Sequence, residues 1–255
     1  MLWLALHFPK LALEALGISS SASAVVAKGR VVVCDDVAEA AGVQVGQPLS
    51  TALGLLPNLA VHERQVAREV LALEALAQWA GRFTPTLSLQ PPDGLWLEIG
   101  GCLRLFGGVE AICRQVVSDG AARGWQCQWS VAPTPLAASW LARRGSTACL
   151  ETPQALDAVL AATPCAVTGW SAAIQARLEA FGLRRLGELR ALPAASLRQR
   201  LGCDVVDDVL RPGATCPTGL SLMSFPNALP CLLNCLPGWW RRRPCCSPAN
   251  ACWLP

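Results

Sequence analysis

A chain of 255 residues with 53% apolar content suits one large domain or two to three small ones, with ample material for a core. It carries 21 Lys and Arg against 18 Asp and Glu, and the surplus of three is the run Arg241, Arg242 and Arg243. The rest is electrically neutral, which excludes a nucleic-acid argument from bulk charge and leaves only a local basic patch to support one.

Leu2–Phe8 is a short apolar run stopped by Pro9, as a buried strand would be, and Leu11–Leu16 then reads as helical before Gly17. The same stretch ends in an A-x-A-like run. His7, Pro9, Lys10 and Glu14 interrupt its apolar core and no basic segment precedes it, so we read it as part of the fold. Val25–Val33 resembles a hairpin turning at Lys28-Gly29-Arg30. Short helices follow at Val37–Ala41 and Pro48–Leu56, and a long amphipathic one at Val61–Trp79, with Val66, Val70 and Leu73 on one face.

The stretch 87–108 is the most informative. Pro91-Pro92-Asp93-Gly94 supplies a fixed φ and then a residue free to take φ > 0, and Leu95, Leu97 and Ile99 alternate with Gly94, Trp96 and Glu98. A β-hairpin with one acid, Asp93, at its tip is expected, and the simplest role of Asp93 is a turn-former bonding its own backbone. Cys102–Phe106 is expected to lie in the second strand, as core. A helix at Val109–Ala122, a strand at Trp125–Val131 and a helix at Pro135–Arg144 complete the order of a split βαβ palm with an insertion after its first helix.

Beyond Pro164 the pattern is all-helical: Ala172–Phe181, a turn at Gly182-Leu183, Leu186–Ala191 and Leu197–Leu201. FGLRRLGEL resembles one half of a helix-hairpin-helix, in which amides at a glycine turn face a phosphate. Gly182, Arg184, Arg185 and Gly187 are therefore candidate DNA contacts, though the two arginines equally suit a solvated helix end. His7 and His62 read as ordinary histidines.

Seven cysteines are scattered singly through the body, as free thiols in a reducing cytosol are. The other six fall in residues 212–255 with eight of the 19 prolines, without acids, lysines or period. Their spacing lacks paired CxxC and any His, so no zinc is expected, and the prolines spoil a spanning helix. An irregular tail translated out of frame accounts for this composition; a disordered or metal-binding appendage is the alternative.

LWLALHFP, AAGVQVGQPLSTALGLLPNL, FTPTLSLQPPDGLWLEIGGCLRLFGG, SVAPTPLAASWLAR and RLEAFGLRRLGELRALPAASLRQRLG occur in this order over residues 2–211. Together they resemble the Y-family DNA polymerases, and especially the catalytically degenerate ImuB-type accessory branch of bacterial SOS mutagenesis. The resemblance implies an α/β (α+β) fold: a ferredoxin-type palm (1–14 and 64–160), an inserted fingers subdomain (15–63) and a helix-hairpin-helix thumb (161–211). The little finger is expected to be absent.

The resemblance also locates the chemistry. Two Mg²⁺ ions need carboxylates from adjacent strands. Ala5 aligns with the Asp of the first palm strand, and Gly94 replaces the Glu of the hairpin pair, leaving Asp93 alone. Asp36 and Glu39 stand where active relatives hold the triphosphate with Tyr and Arg, and Ser139 aligns with a helical Lys. We therefore expect no catalytic, nucleotide or metal site and no cofactor. The implied function is a non-catalytic accessory to translesion synthesis, cytoplasmic and nucleoid-associated, binding DNA weakly through its phosphates. Its implied partners are a replicative polymerase, a RecA-like accessory and the sliding clamp. An active error-prone polymerase and a non-functional truncated fragment are the alternatives.

Overall fold

β1 (Trp3–His7) is the strand that the first apolar run predicts, and it lies inside the main sheet with a neighbour on each side. After α1 (Leu11–Glu14) the chain enters a small unit. β2 (Ser23–Ala27) and β3 (Arg30–Cys34) form the expected hairpin, with Lys28 and Gly29 both at positive φ, the geometry of a two-residue turn that follows strand twist. α2 (Asp36–Ala40), α3 (Leu49–Leu55) and β4 (Ala60–Glu63) complete it. β4 corrects the expectation of a helix from Val61: it runs parallel to β2, and the helix, α4 (Val66–Ala80), begins only after Gln65. The described residues are 1–18, 22–210 and 222–224 of this computed structural model.

β5 (Thr86–Gln90) and β6 (Gly94–Glu98) are the expected hairpin. A helical turn follows at Gly100–Cys102 and then α5 (Leu103–Phe106), so the stretch expected as second-strand core is helical instead, with Leu105 exposed. α6 (Val109–Ala122), β7 (Gln128–Ala132) and α7 (Pro135–Arg143) return the chain to the sheet. α8 (Pro153–Ala161) buries Leu156 and Leu160, one turn apart. Its signal is Thr152, which accepts from the Ala155 amide, with Pro153 at the first helical position. A turn at Cys165–Thr168, α9 (Ala172–Ala180), α10 (Leu186–Arg190), α11 (Ala194–Leu201) and α12 (Cys203–Leu210) make the helical end. β8 (Leu222–Ser224) pairs antiparallel with β5, so the tail is not wholly irregular. The tail cysteines, Arg241–Arg243 and the out-of-frame reading lie outside the described residues.

The main sheet has the order β7-β1-β6-β5-β8, all antiparallel. Register fixes its faces. Leu4, Leu6, Leu87, Leu95, Leu97 and Val131 turn one way and bury against Leu73 and Leu76 of α4 and Ile112 and Val116 of α6. Trp3, Ala5 and Trp96 turn the other way. They share one core with α7 and the helical end, including Leu160, Leu178, Leu189 and Val206. His7 and Gly94, paired across β1 and β6, are the last positions of this second face. The small unit keeps its own core of Val26, Val31, Ala38, Val43 and Ala52.

Candidate functional site

Asp93 sits at the tip of the β5–β6 hairpin, its carbonyl accepting from the Phe8 amide at 2.8 Å. This bond closes the end of β1 over the hairpin tip and brings His7 beside the acid. His7 Nδ1 lies 3.5 Å from Asp93 Oδ1, and Arg143 Nη2, from the last turn of α7, donates to the same oxygen at 3.0 Å. α7 runs back along β7, so its C-terminal end arrives at the His7 end of the sheet. The side chains of Asp93 and Arg143 are only 28% and 23% exposed. Burial pushes the Asp93 carboxyl up, but the His7 bond, the charges of His7 and Arg143 and its own backbone amide more than offset this, and it ends below the ordinary carboxylate range.

Three sequence expectations change here. Ala5 is not the residue facing Asp93: it is fully buried opposite Trp96 and Ser130, one pleat repeat further in, and His7 holds the facing position. Gly94 is not the positive-φ residue of the turn but the first residue of β6. A Cβ there would come within 3.2 Å of Gln90 Cβ, 3.3 Å of Gln90 O and 3.4 Å of Leu6 O, so the strands have closed around the missing side chain. Asp93 does more than form a turn, since its carboxylate accepts from a guanidinium and has an imidazole 3.5 Å away. Glu98 cannot join it, because it lies at the far end of β6 and accepts from the Gly100 amide at 3.1 Å.

Sequence reasoning missed Arg143. Ser139, where a Lys was sought, is half-buried on α7, and Arg143 follows it at i+4 on the same face, a spacing that could have found it. Arg143 also touches the helical end, for a Cβ on Gly169 (φ +75°) would lie 2.7 Å from its Nη1.

A cleft of about 580 Å³ opens between this site and the small unit, lined by Pro9, Lys10, Val32, Val33, Cys34, Glu39, Val43, Gln44 and Val45. Lys10 is its one lining cation among the described residues and is ion-paired with Asp36, whose carboxyl is held below its ordinary range by that contact. Glu39 is exposed on the same wall. Nearby, Arg64 donates to both Glu69 oxygens at 2.8 and 2.7 Å. Three acids at the site have their own cation: Asp93 with Arg143, Asp36 with Lys10, Glu69 with Arg64; Glu39 forms no ion pair with another described residue. A pair of Mg²⁺ ions needs several uncompensated oxygens, and a polyphosphate needs free cations. The residues present fit neither group.

The helical end places the candidate DNA contacts unevenly. Gly182 (φ +71°) turns in open space between α9 and α10. The amides of Arg184 and Arg185, expected to face a phosphate, both donate to Glu188 Oε2, at 2.7 and 3.1 Å. These bonds hold the Glu188 carboxyl below its ordinary range and occupy the anion position. Gly187 is not a contact surface: a Cβ there would sit 2.8 Å from Ala161 O, so it is the close-packing point of α10 on α8. Any phosphate contact falls to the arginine side chains.

A family model described as the impB/mucB/samB family matches residues 5–143. Two proteins named Protein ImuB, from two strains of Caulobacter vibrioides, are 36% identical to the chain over 165 residues, 65% of this chain and 36% of their own length. The match thus spans about a third of those relatives. Among solved structures, an insertion ternary complex of Dbh DNA polymerase superposes with a TM-score of 0.67 at 15% identity, over 83% of this chain and 66% of that one. DinB from Sulfolobus solfataricus gives 0.63 at 14%, with the same coverage. These likenesses concern the fold.

Proposed function

The chain belongs to the impB/mucB/samB family, and we propose that within it this protein is a non-catalytic accessory to translesion synthesis, with a polymerase-like frame that holds DNA without extending it. In this reading residues 1–14 and 64–160 are palm, 15–63 fingers and 161–211 thumb. DNA is held weakly, and other mutagenesis proteins are brought to it.

The observation that carries the reading is the Asp93–Arg143 contact at 3.0 Å. In two-metal phosphoryl transfer, carboxylates wait with their charge uncompensated, and the ions that arrive stabilise the attacking and leaving oxygens. Here a guanidinium anchored on α7 holds one Asp93 oxygen, and His7 approaches the same atom. Among the described residues no second acid stands beside Asp93, and a Cβ at Gly94 would crowd Gln90 and Leu6 O. Glu39, exposed on the cleft wall, would also repel the triphosphate that a polymerase must bind.

Primer extension on a primed template with Mg²⁺ or Mn²⁺ tests this. The expected result is no nucleotide incorporation; incorporation that Asp93→Ala abolishes would overturn the proposal.

A further inference from the structure

Two clefts flank the Gly182-Leu183 turn and share Leu183 as their common wall. The first, of about 370 Å³, is lined by Phe181, Leu192, Pro193, Leu197 and Arg200 with others. The second, of about 440 Å³, is lined by Pro164, Gln175, Glu179 and Arg184 among others. Phe181 is 47% exposed, a large aromatic surface for the end of a nine-residue helix, and the Arg200 guanidinium lies 5.2 Å from its ring centroid. Arg177 reaches the same rim, donating to the Arg200 carbonyl at 3.2 Å.

Around this turn Arg177, Arg184, Arg185 and Arg200 form no ion pair with another described residue, as is also true of Arg30, Arg68, Arg104, Arg114 and Arg144 elsewhere. Arg177, Arg184 and Arg200 thus flank an exposed ring and two adjoining clefts, each with room for one nucleobase.

The geometry points to a single-stranded DNA site on this turn, with one base stacked on Phe181, the next past Leu183, and the backbone phosphates along Arg200, Arg177 and Arg184. An aromatic face with flanking arginines is what an unpaired base recognises, and it reads no sequence. Duplex bases stay stacked on one another and cannot reach the ring. Glu179, at the edge of the second cleft, suits an exocyclic amino group rather than a phosphate. The inference rests on the DNA-holding reading above and sharpens it, by naming the strand form and the residue that stacks.

The test is fluorescence anisotropy of the full chain with a labelled mixed-sequence single strand and with the matching duplex, at one salt concentration. Phe181→Leu keeps the apolar contact and removes the π face. It is expected to weaken single-strand binding about tenfold and leave duplex binding unchanged, while Phe181→Trp retains single-strand affinity. Near-UV circular dichroism checks that each variant is folded. If Phe181→Leu binds the single strand as wild type does while Arg184→Ala/Arg185→Ala weakens it, the stacking site is wrong and the DNA-holding reading stands. If the wild-type chain binds neither form, that reading falls as well.

Discussion

Removing Arg143 tests the charge-balanced site most directly. In Arg143→Met the side chain keeps its apolar length on α7, and the Asp93 carboxylate, more than two-thirds buried, loses its guanidinium. Hydrogen bonds to charged groups contribute about 1.5–3 kcal/mol, well above an exposed ion pair and below a fully buried one, so the expected loss is about 2 kcal/mol. Urea unfolding at neutral pH would show it as a lower midpoint with an unchanged slope, and thermal unfolding as a shift of roughly 4–8 °C. Asp93→Asn in the Arg143→Met background should recover most of the loss, since the uncompensated charge is then gone. The pH dependence has a fixed sign. The folded Asp93 carboxyl lies below its ordinary value, so its contribution is complete above the unfolded pKa of about 3.9 and fades as pH falls through the folded value. In Arg143→Met burial is opposed only by His7 and the Asp93 amide, and the acid protonates at higher pH than in wild type. The stability gap between the two proteins is therefore widest near neutrality and closes on acidification. A double-mutant coupling below about 0.5 kcal/mol, or a gap that widens in acid, would refute the ion-pair argument.

Other substitutions probe the remaining pieces. Gly94→Glu restores the missing acid in name only: its Cβ crowds Gln90 and Leu6 O, so we expect a loss of roughly 1–3 kcal/mol in urea unfolding and still no primer extension. Gly187→Ala drives a methyl into the Ala161 carbonyl and should cost about as much. DNA affinity of the protein that remains folded should be unchanged; a selective loss of DNA binding would return Gly187 to the contact surface. Arg184→Ala/Arg185→Ala should lower DNA affinity and reduce the salt slope by about 1–2, because the side chains, not the capped amides, face the phosphates; an unchanged slope would remove the thumb turn from the interface.

Period and punctuation made most of the elements legible. The Leu95, Leu97 and Ile99 alternation, the Lys28-Gly29 turn and Pro135 at the start of α7 are local signals, and each stands where it was expected. β4 was hidden because Val61–Glu63 runs straight into a helical pattern, and only pairing with β2 makes it a strand. The Leu103–Phe106 helix was hidden because four apolar-rich residues carry no distinguishable period. At the site, a glycine beside Asp93 was readable from the sequence. Its packing was not, since a Cβ there would crowd Gln90 across the hairpin and, less tightly, Leu6 O of β1, nearly ninety residues away in sequence.

By itself the sequence determined the family frame, the elements with strong local periodicity, and the single acid, Asp93, at the hairpin tip. The tertiary structure alone decided what became of that acid. Register put His7 rather than Ala5 beside it, the run of α7 back along β7 delivered Arg143, and Glu188 turned back to accept from the Arg184 and Arg185 amides. The physical reason is range. Helix, strand and turn signals act over a few residues of chain, whereas the partner of a charge is set by which strand end and helix end the packed core brings together.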